Sequence, residues 1–252
     1  MTTYSLAVLS NPAPCSTDPI DTDLAYAAQS FEVNQLALDY RVYTWKQLEV
    51  ITGGLSAPSK MPCHSFSISA KRCKVGSKLR KVVGSTCNKC YALKGRYVFP
   101  NVERAMERRL AAMYASPNEW AAAIVASIWK KGEKNFRWHD SGDLQGMNHL
   151  MTIVAIAEEL EEVQFWLPTR EYGIVRDYLR KFKCFPSNLT VRVSAPMIGA
   201  VASEWTHSSS VDAVHTALTA WVDCPASKQG NKCMDCRACW DQDVEVVNYK
   251  KH

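Results

Sequence analysis

After residue 100 the chain alternates between two hydrophobic rhythms, and before it neither rhythm is sustained. Met106, Leu110 and Met113 recur at helical spacing, with Asn101 placed to cap that helix. Ser116-Pro117-Asn118-Glu119 reads as a capping box with proline at the first helical position; an alanine-rich helix follows, and Gly132 can end it. Phe136–Trp138 then reads as a strand, residues 146–161 as an amphipathic helix and Val163–Leu167 as a strand. Residues 171–182 read as a further helix and Leu189–Ser194 as a third strand. Alternation at this pace predicts an α/β fold built on a parallel sheet, open or rolled into a partial (βα) barrel.

Residues 1–60 mix short apolar runs, Tyr4–Leu9 and Tyr40–Trp45, with an acidic stretch and little periodicity. Residues 61–98 read as an irregular loop. The organisation expected is an N-terminal segment over 1–60 and one α/β domain over 61–252. That domain divides into a first cysteine loop at 61–98, a βα core at 99–200 and a C-terminal cysteine loop at 220–241. There is no internal repeat.

Cysteine spacing adds chemistry to this frame. The chain has 252 residues and ten cysteines. Cys63, Cys73, Cys87 and Cys90 form one set ending in C-x2-C; Cys224, Cys233, Cys236 and Cys239 form another ending in C-x2-C-x2-C. Two intervening residues let two thiolates reach one centre from a single tight turn, as in zinc and iron–sulfur sites. A disulfide scaffold fits poorly, because such scaffolds are small and secreted. The opening MTTYSLAVLSNPAP lacks a basic stretch followed by an apolar one, so a reducing cytoplasm is the expected location. The apolar run Trp120 to Trp129 is half the length a membrane span needs, so no membrane partner is expected. Cys15 and Cys184 lie outside both sets.

Iron–sulfur and zinc both suit four thiolates. The stacked C-x2-C-x2-C, the Cys224-Pro225 pair and the bulky Tyr91 and Trp240 directly after ligand positions favour one or two [4Fe-4S] clusters, with zinc as the alternative.

The net charge of +5 argues for little, since ligating thiolates would nearly cancel it. Its distribution says more. Residues 1–60 carry −3, residues 61–109 carry +10 and the remainder −2. The cations Lys71, Arg72, Lys74, Lys78, Arg80, Lys81, Lys89, Lys94 and Arg96 surround the first cysteine set, with Tyr91, Tyr97 and Phe99 among them. Three readings stand: a solvated loop face, counter-charge for an anionic cluster, or a site for an anionic ligand, nucleic acid included.

Each predicted strand ends in polar residues. The first runs into His139-Asp140-Ser141-Gly142-Asp143, the second into Pro168-Thr169-Arg170-Glu171, and the third carries Arg192 and Ser194. Parallel α/β folds bind ligands at the C-terminal edge of the sheet, where such strand ends converge. Asp140, Asp143 and Arg170 are the candidate catalytic residues, the aspartates as acid/base or amine ligand and Arg170 as an anion clamp. His139, Ser141, Glu171, Arg192 and Ser194 are candidates to hold a small polar ligand or cofactor. Singly, each has a structural alternative as a helix cap, a surface ion pair or a hydrogen-bonded core residue.

The segments MPCHSFSISAKRCKVGSKL, CNKCYALKGRYVFPNVERAMERR, FRWHDSGDLQG, FWLPTREYGIVRDYL and CPASKQGNKCMDCRACW together resemble the phage-encoded gene product 88 family over about residues 61–252. The resemblance implies a phage protein at work in an infected bacterium, with all eight clustered cysteines as family positions. A more distant resemblance is to radical S-adenosylmethionine (SAM) enzymes, which build a partial (βα) barrel around a [4Fe-4S] cluster. Cys87-Asn88-Lys89-Cys90-Tyr91 is similar to the end of their cysteine loop. Their third cysteine, four residues before the C-x2-C pair, is Val83 here, so Cys73 or Cys63 would have to substitute.

Two functions are expected from different classes. One is a phage iron–sulfur protein, radical-SAM-like, in redox or small-molecule or nucleotide modification chemistry, with SAM as a possible ligand. The other is a metal-stabilised protein that binds nucleic acid or a host protein through residues 71–96 without catalysis.

Overall fold

A computed structural model describes residues 24–215 and 220–251, with side chains from residue 32 onward. The expected run Tyr4–Leu9 and Cys15 lie outside these residues. Seven strands form one sheet: β1 (Ser65–Phe66), β2 (Asn135–Trp138), β3 (Gln164–Thr169), β4 (Leu189–Ser194), β5 (Ser208–Val211), β6 (Trp221–Asp223) and β7 (Val246–Tyr249). All pair parallel in the order β1-β2-β3-β4-β5-β7-β6. Helices α1 (Leu24–Tyr40) and α2 (Trp45–Thr52) precede β1. Helices α3 (Val75–Leu79), α4 (Pro100–Ala115) and α5 (Pro117–Lys131) link β1 to β2, while α6 (Met147–Glu159) and α7 (Tyr172–Phe182) complete the next two crossovers.

The α/β parallel sheet is as expected, but it does not close into a barrel. β1 and β6 are its two edges, and the outer side of β1 meets only an isolated bridge, Ser56 to Ser65.

Alternation along the strands divides the sheet into two faces. Phe136, Trp138, Phe165 and Leu167 face helices. The ring of Trp120 in α5 lies 5.1 Å from Phe66 and 6.2 Å from Trp138, and Phe136 meets Phe165 at 6.0 Å. Val33 and Ala37 of α1 and Leu48 of α2 are buried in the same core. Helices α1 and α2 thus contribute to the same core as the helix-facing strand residues.

Arg137, Trp166, Thr190 and Arg192 face the other way, toward the C-terminal cysteine loop. Trp240 packs edge-on to Trp166 at 5.2 Å and donates from Nε1 to the Phe136 carbonyl at 2.9 Å. Thr190 Oγ1 donates to the Trp240 carbonyl at 2.7 Å. The Arg192 side chain, with no solvent exposure, donates to the carbonyls of Ala238, Cys239, Asp241, Val244 and Glu245 at 2.6–3.3 Å. A buried cation is tolerated only when its donors are satisfied, and here backbone dipoles of one loop satisfy them.

Local signals worked unevenly. Gly132 ends α5 in the left-handed conformation, as expected. Ser116 occupies the N-cap of α5 but its side chain makes no cap bond, and α4 begins at Pro100 with Phe99, not Asn101, at the cap. Thr44 and Gln47 form a genuine capping box on α2: Gln47 Oε1 accepts from the Thr44 N–H at 2.8 Å and the Thr44 side chain accepts in return at 3.4 Å. No described helix is long and apolar enough to cross a membrane.

Arg192→Met is expected to lower unfolding free energy by roughly 3–5 kcal/mol, because five carbonyls lose a buried donor. Thr44→Ala is expected to cost only about 1 kcal/mol. Urea unfolding of the two variants checks the ranking; equal, small losses would mean the loop does not need the arginine.

Candidate metal centre

The eight clustered cysteines regroup in space. The first loop arches over the C-terminal ends of the strands and is tied to three of them. Tyr91 donates its hydroxyl to the Asp140 carbonyl after β2 at 2.7 Å. Glu171 Oε1 after β3 accepts from the backbone N–H groups of Lys74 and Val75 at 3.2 and 2.8 Å. The Thr86 N–H donates to the Pro196 carbonyl after β4 at 2.9 Å. Cys73, Cys87 and Cys90 lie on this arch, and Cys73 feels the charges of Asp143, Cys90, Cys87 and Glu171. Gly76 sits between them. A Cβ there would lie 3.6 Å from Cys87 Sγ and 3.7 Å from Cys73 Sγ, so the missing side chain leaves room between the two thiols.

Cys63 does not join them. Its neighbours are Met61, Trp166, Cys224, Cys239 and Trp240 on the opposite face of the sheet, and its local charges are those of Glu133, Arg137, Cys233 and Arg237. The Cys233 N–H donates to the Lys60 carbonyl at 3.0 Å, pinning the C-terminal loop beside Cys63. The two sets of four expected from spacing are therefore a three and a five: Cys73, Cys87 and Cys90 at the sheet edge, and Cys63, Cys224, Cys233, Cys236 and Cys239 on the back face.

Burial raises the thiols of Cys87, Cys224 and Cys233, and lifts those of Cys63, Cys73 and Cys239 to about 12. Guanidinium groups oppose it: Arg170 beside Cys87, Arg137 and Arg237 beside Cys63 and Cys233, and Arg192 and Arg137 beside Cys239. Among the described residues no three His, Cys, Asp or Glu side chains surround one point closely enough to hold a metal ion. The groups are neighbourhoods of thiols rather than closed cages.

The rim residues take distinct parts. Asp140 is buried; its Oδ1 accepts from Ser65 Oγ at 2.8 Å and its Oδ2 from the Tyr97 hydroxyl at 3.3 Å, with the charges of Arg109 and Arg137 in range. Asp143 braces the edge. It accepts from Thr169 Oγ1 at 2.6 Å and from the N–H groups of Leu144 and Arg170 at 2.8 and 2.9 Å. Glu171 caps the start of α3, as described. The half-buried side chain of Arg170 faces Cys87, and its Nε has no hydrogen-bond partner among the described residues. Ser141 Oγ is likewise buried without a partner, and Ser194 Oγ accepts from Ser209 Oγ at 3.0 Å.

Two candidates sit elsewhere than expected. Arg192 is held under the C-terminal loop by its five carbonyl partners, because its strand position points to the back face. His139 points into the core, with its ring 6.4 Å from Trp138 and 5.1 Å from His149, neither nitrogen partnered and its pKa pushed well below the usual value by burial. It holds φ 55°, and Gly142 holds φ 87° where an added Cβ would come within 2.3 Å of Ile68 Cγ1. This turn demands glycine and folds Asp140 and Asp143 to the same edge.

A family model described as Gene product 88 matches residues 37–242. The chain belongs to this family. No curated protein and no solved structure matches it. The gene product 88 match begins inside α1, earlier than the resemblance starting at residue 61, and includes all eight clustered cysteines. The sequence reading missed Arg137 and Gly76 as parts of the site, and had Tyr91 and Tyr97 only as rings beside the first cysteine set rather than as partners of Asp140. Arg137 did carry a signal: a charge between Phe136 and Trp138 in a core strand must be buried against a counter-charge.

Burial lifts the Asp143 carboxyl to about 6, against the three hydrogen bonds that favour its charged form. An unfolded aspartate titrates near 3.9, so between about 4 and 6 the folded state holds the extra proton and stability falls as pH rises. Asp143→Asn is expected to abolish that slope and to cost roughly 1–3 kcal/mol, because its amide turns a donor toward an N–H or hydroxyl partner. Urea unfolding across this pH range reads both; an unchanged slope in the variant would assign the titration to another group.

Proposed function

We propose that this chain is an iron–sulfur protein whose reactive centre is held by Cys73, Cys87 and Cys90 at the C-terminal edge of the parallel sheet. The observation that carries the reading is the departure of Cys63 to the back face, which leaves three thiols where a cubane has four irons. The residues fit such a group in three respects. The donors are soft thiols, the bare α-carbon of Gly76 keeps the space between two of them open, and Arg170 places a cation opposite the charge that thiolates bring. A [4Fe-4S] cluster bound there would supply an electron and a coordination position not filled by protein.

The chain's own groups define what could approach. Arg170 offers a guanidinium to a carboxylate or phosphate, and Asp140, fixed by Ser65 and Tyr97, offers a carboxylate to an amine or a proton. A small polar ligand carrying both charges suits this pair. SAM, suggested by the distant resemblance, is the first to test. The five back-face cysteines, of which Cys63, Cys224 and Cys239 pack in one cluster with Trp166 and Trp240, suit a second centre with a structural or electron-storing part. The reaction class we infer is redox or small-molecule modification in the cytoplasm of an infected bacterium, where thiols stay reduced.

Protein purified without oxygen is expected to hold about eight irons with matching sulfide. Cys73→Ala/Cys87→Ala/Cys90→Ala should lower this to about four while a fold-sensitive circular dichroism signal is kept, and Gly76→Val should do the same by filling the space between the thiols. Zinc without sulfide in the native protein would overturn the reading.

A further inference from the structure

We propose that the basic face of the first cysteine loop binds single-stranded nucleic acid. Residues 61–102 contain no aspartate or glutamate. Of the cations around the loop, Lys71 and Arg72 are engaged by Glu103 and Glu107 of α4, and the Lys74 ammonium donates to the Gln145 carbonyl at 2.6 Å. Lys78, Lys81, Lys89, Lys94 and Arg96 are exposed and make no ion pair among the described residues.

Five unpaired cations exceed what a cluster needs, because a cubane on three thiolates carries about one net negative charge. They exceed what a solvated face explains as well, because such faces ordinarily intersperse both signs. Aromatic rings lie among them: Tyr91 is 50% exposed and Phe99 53%. The Tyr91 hydroxyl is fixed to the Asp140 carbonyl and its ring meets Tyr97 edge-on at 5.7 Å, so it is a rigid platform. Cations tracking phosphates beside rigid exposed rings are the recognition chemistry of unpaired bases.

The shape favours a single strand over a duplex. Lys78 lies on the five-residue α3, Lys81 and Lys89 on turns after it, Lys94 between two short 3-10 turns and Arg96 on the second of them, with no long helix presenting them to a groove. An extended backbone over this loop would also pass the C-terminal edge of the sheet, where the strand ends and Arg170 lie. The inference does not depend on the iron reading, since the charges and rings are supplied by the chain alone.

The test is fluorescence anisotropy with a labelled oligothymidine of about 16 nucleotides, with iron content and melting temperature measured on the same samples. Binding should weaken steeply between about 50 and 200 mM salt. Lys81→Gln/Lys89→Gln/Lys94→Gln/Arg96→Gln should weaken it at least about tenfold at constant salt and reduce the logarithmic salt slope by about 2–3, at about 0.7 per phosphate contact. Phe99→Ala should weaken it roughly fivefold or more without changing that slope. A control with arginine at the three lysine positions keeps the charge and should keep the binding. No binding at low salt, equal binding by the glutamine variant, loss in the arginine control, or preference for polyglutamate or phosphatidylserine vesicles would overturn the proposal, whatever the iron content.

Discussion

The buried guanidinium of Arg192 is the constraint on which the rest of this arrangement depends. Its strand position forces it onto the back face of the sheet, where among the described residues no carboxylate is bonded to it. It is stable only because the C-terminal loop turns five carbonyls toward it. Carbonyl dipoles are fixed by the backbone, so satisfying one arginine dictates the path of residues 238–245. That path brings Trp240 against Trp166 and sets Cys239 beside Tyr249, with Sγ 3.1 Å from the hydroxyl. Arg192, seconded by the Thr190 hydroxyl on the Trp240 carbonyl and the Trp240 indole on the Phe136 carbonyl, thereby places a loop that has almost no regular secondary structure of its own.

The division of cysteines follows from this placement. Cys63 precedes β1 and lies where the C-terminal loop docks, so the start of the sheet and the end of the chain meet around its thiol. Cys73, Cys87 and Cys90 follow β1 and are carried over the opposite, C-terminal edge by ties to Asp140, Glu171 and Pro196. A parallel sheet separates what comes before a strand from what comes after it. Two residues of strand between Cys63 and Cys73 are enough to send them to different places.

This also explains what could be read in advance. The strands and helices from 135 to 194 were legible because burial on the helix face imposes strict alternation, as at Phe136 and Trp138. The strand Ser208–Val211 was not, because its buried serines bond across strands, Ser209 to Ser194 and Ser210 to Asn248, and carry no hydrophobic signal. The helix Trp45–Thr52 was missed, because the short apolar run Tyr40–Trp45 masked the capping pair Thr44 and Gln47 that starts it. The cysteines were visible as two clusters, but which of them share a centre was open from spacing, and Cys63 lies with the C-terminal set. Nearness in sequence holds only while no strand intervenes. Arg192 shows the complementary limit: its polarity marked it as important, while its direction depended on a loop some fifty residues away in the chain.

Thiols raised by burial are costly in the charged form, and guanidinium neighbours oppose that cost at Cys63, Cys87, Cys233 and Cys239. Arg137 stands between the two groups. It lies 4.3 Å over the Trp166 ring, within range of Cys63, Cys233 and Cys239 on the back face, and of Asp140 and Tyr91 toward the sheet edge. The guanidinium charge is permanent, so it favours the thiolate forms of Cys63, Cys233 and Cys239 while it also faces Asp140. Metal binding requires deprotonated thiols. One strand residue thus gives a counter-charge to the back-face thiols and to a carboxyl group at the sheet edge, because a residue in the middle of a parallel sheet reaches both.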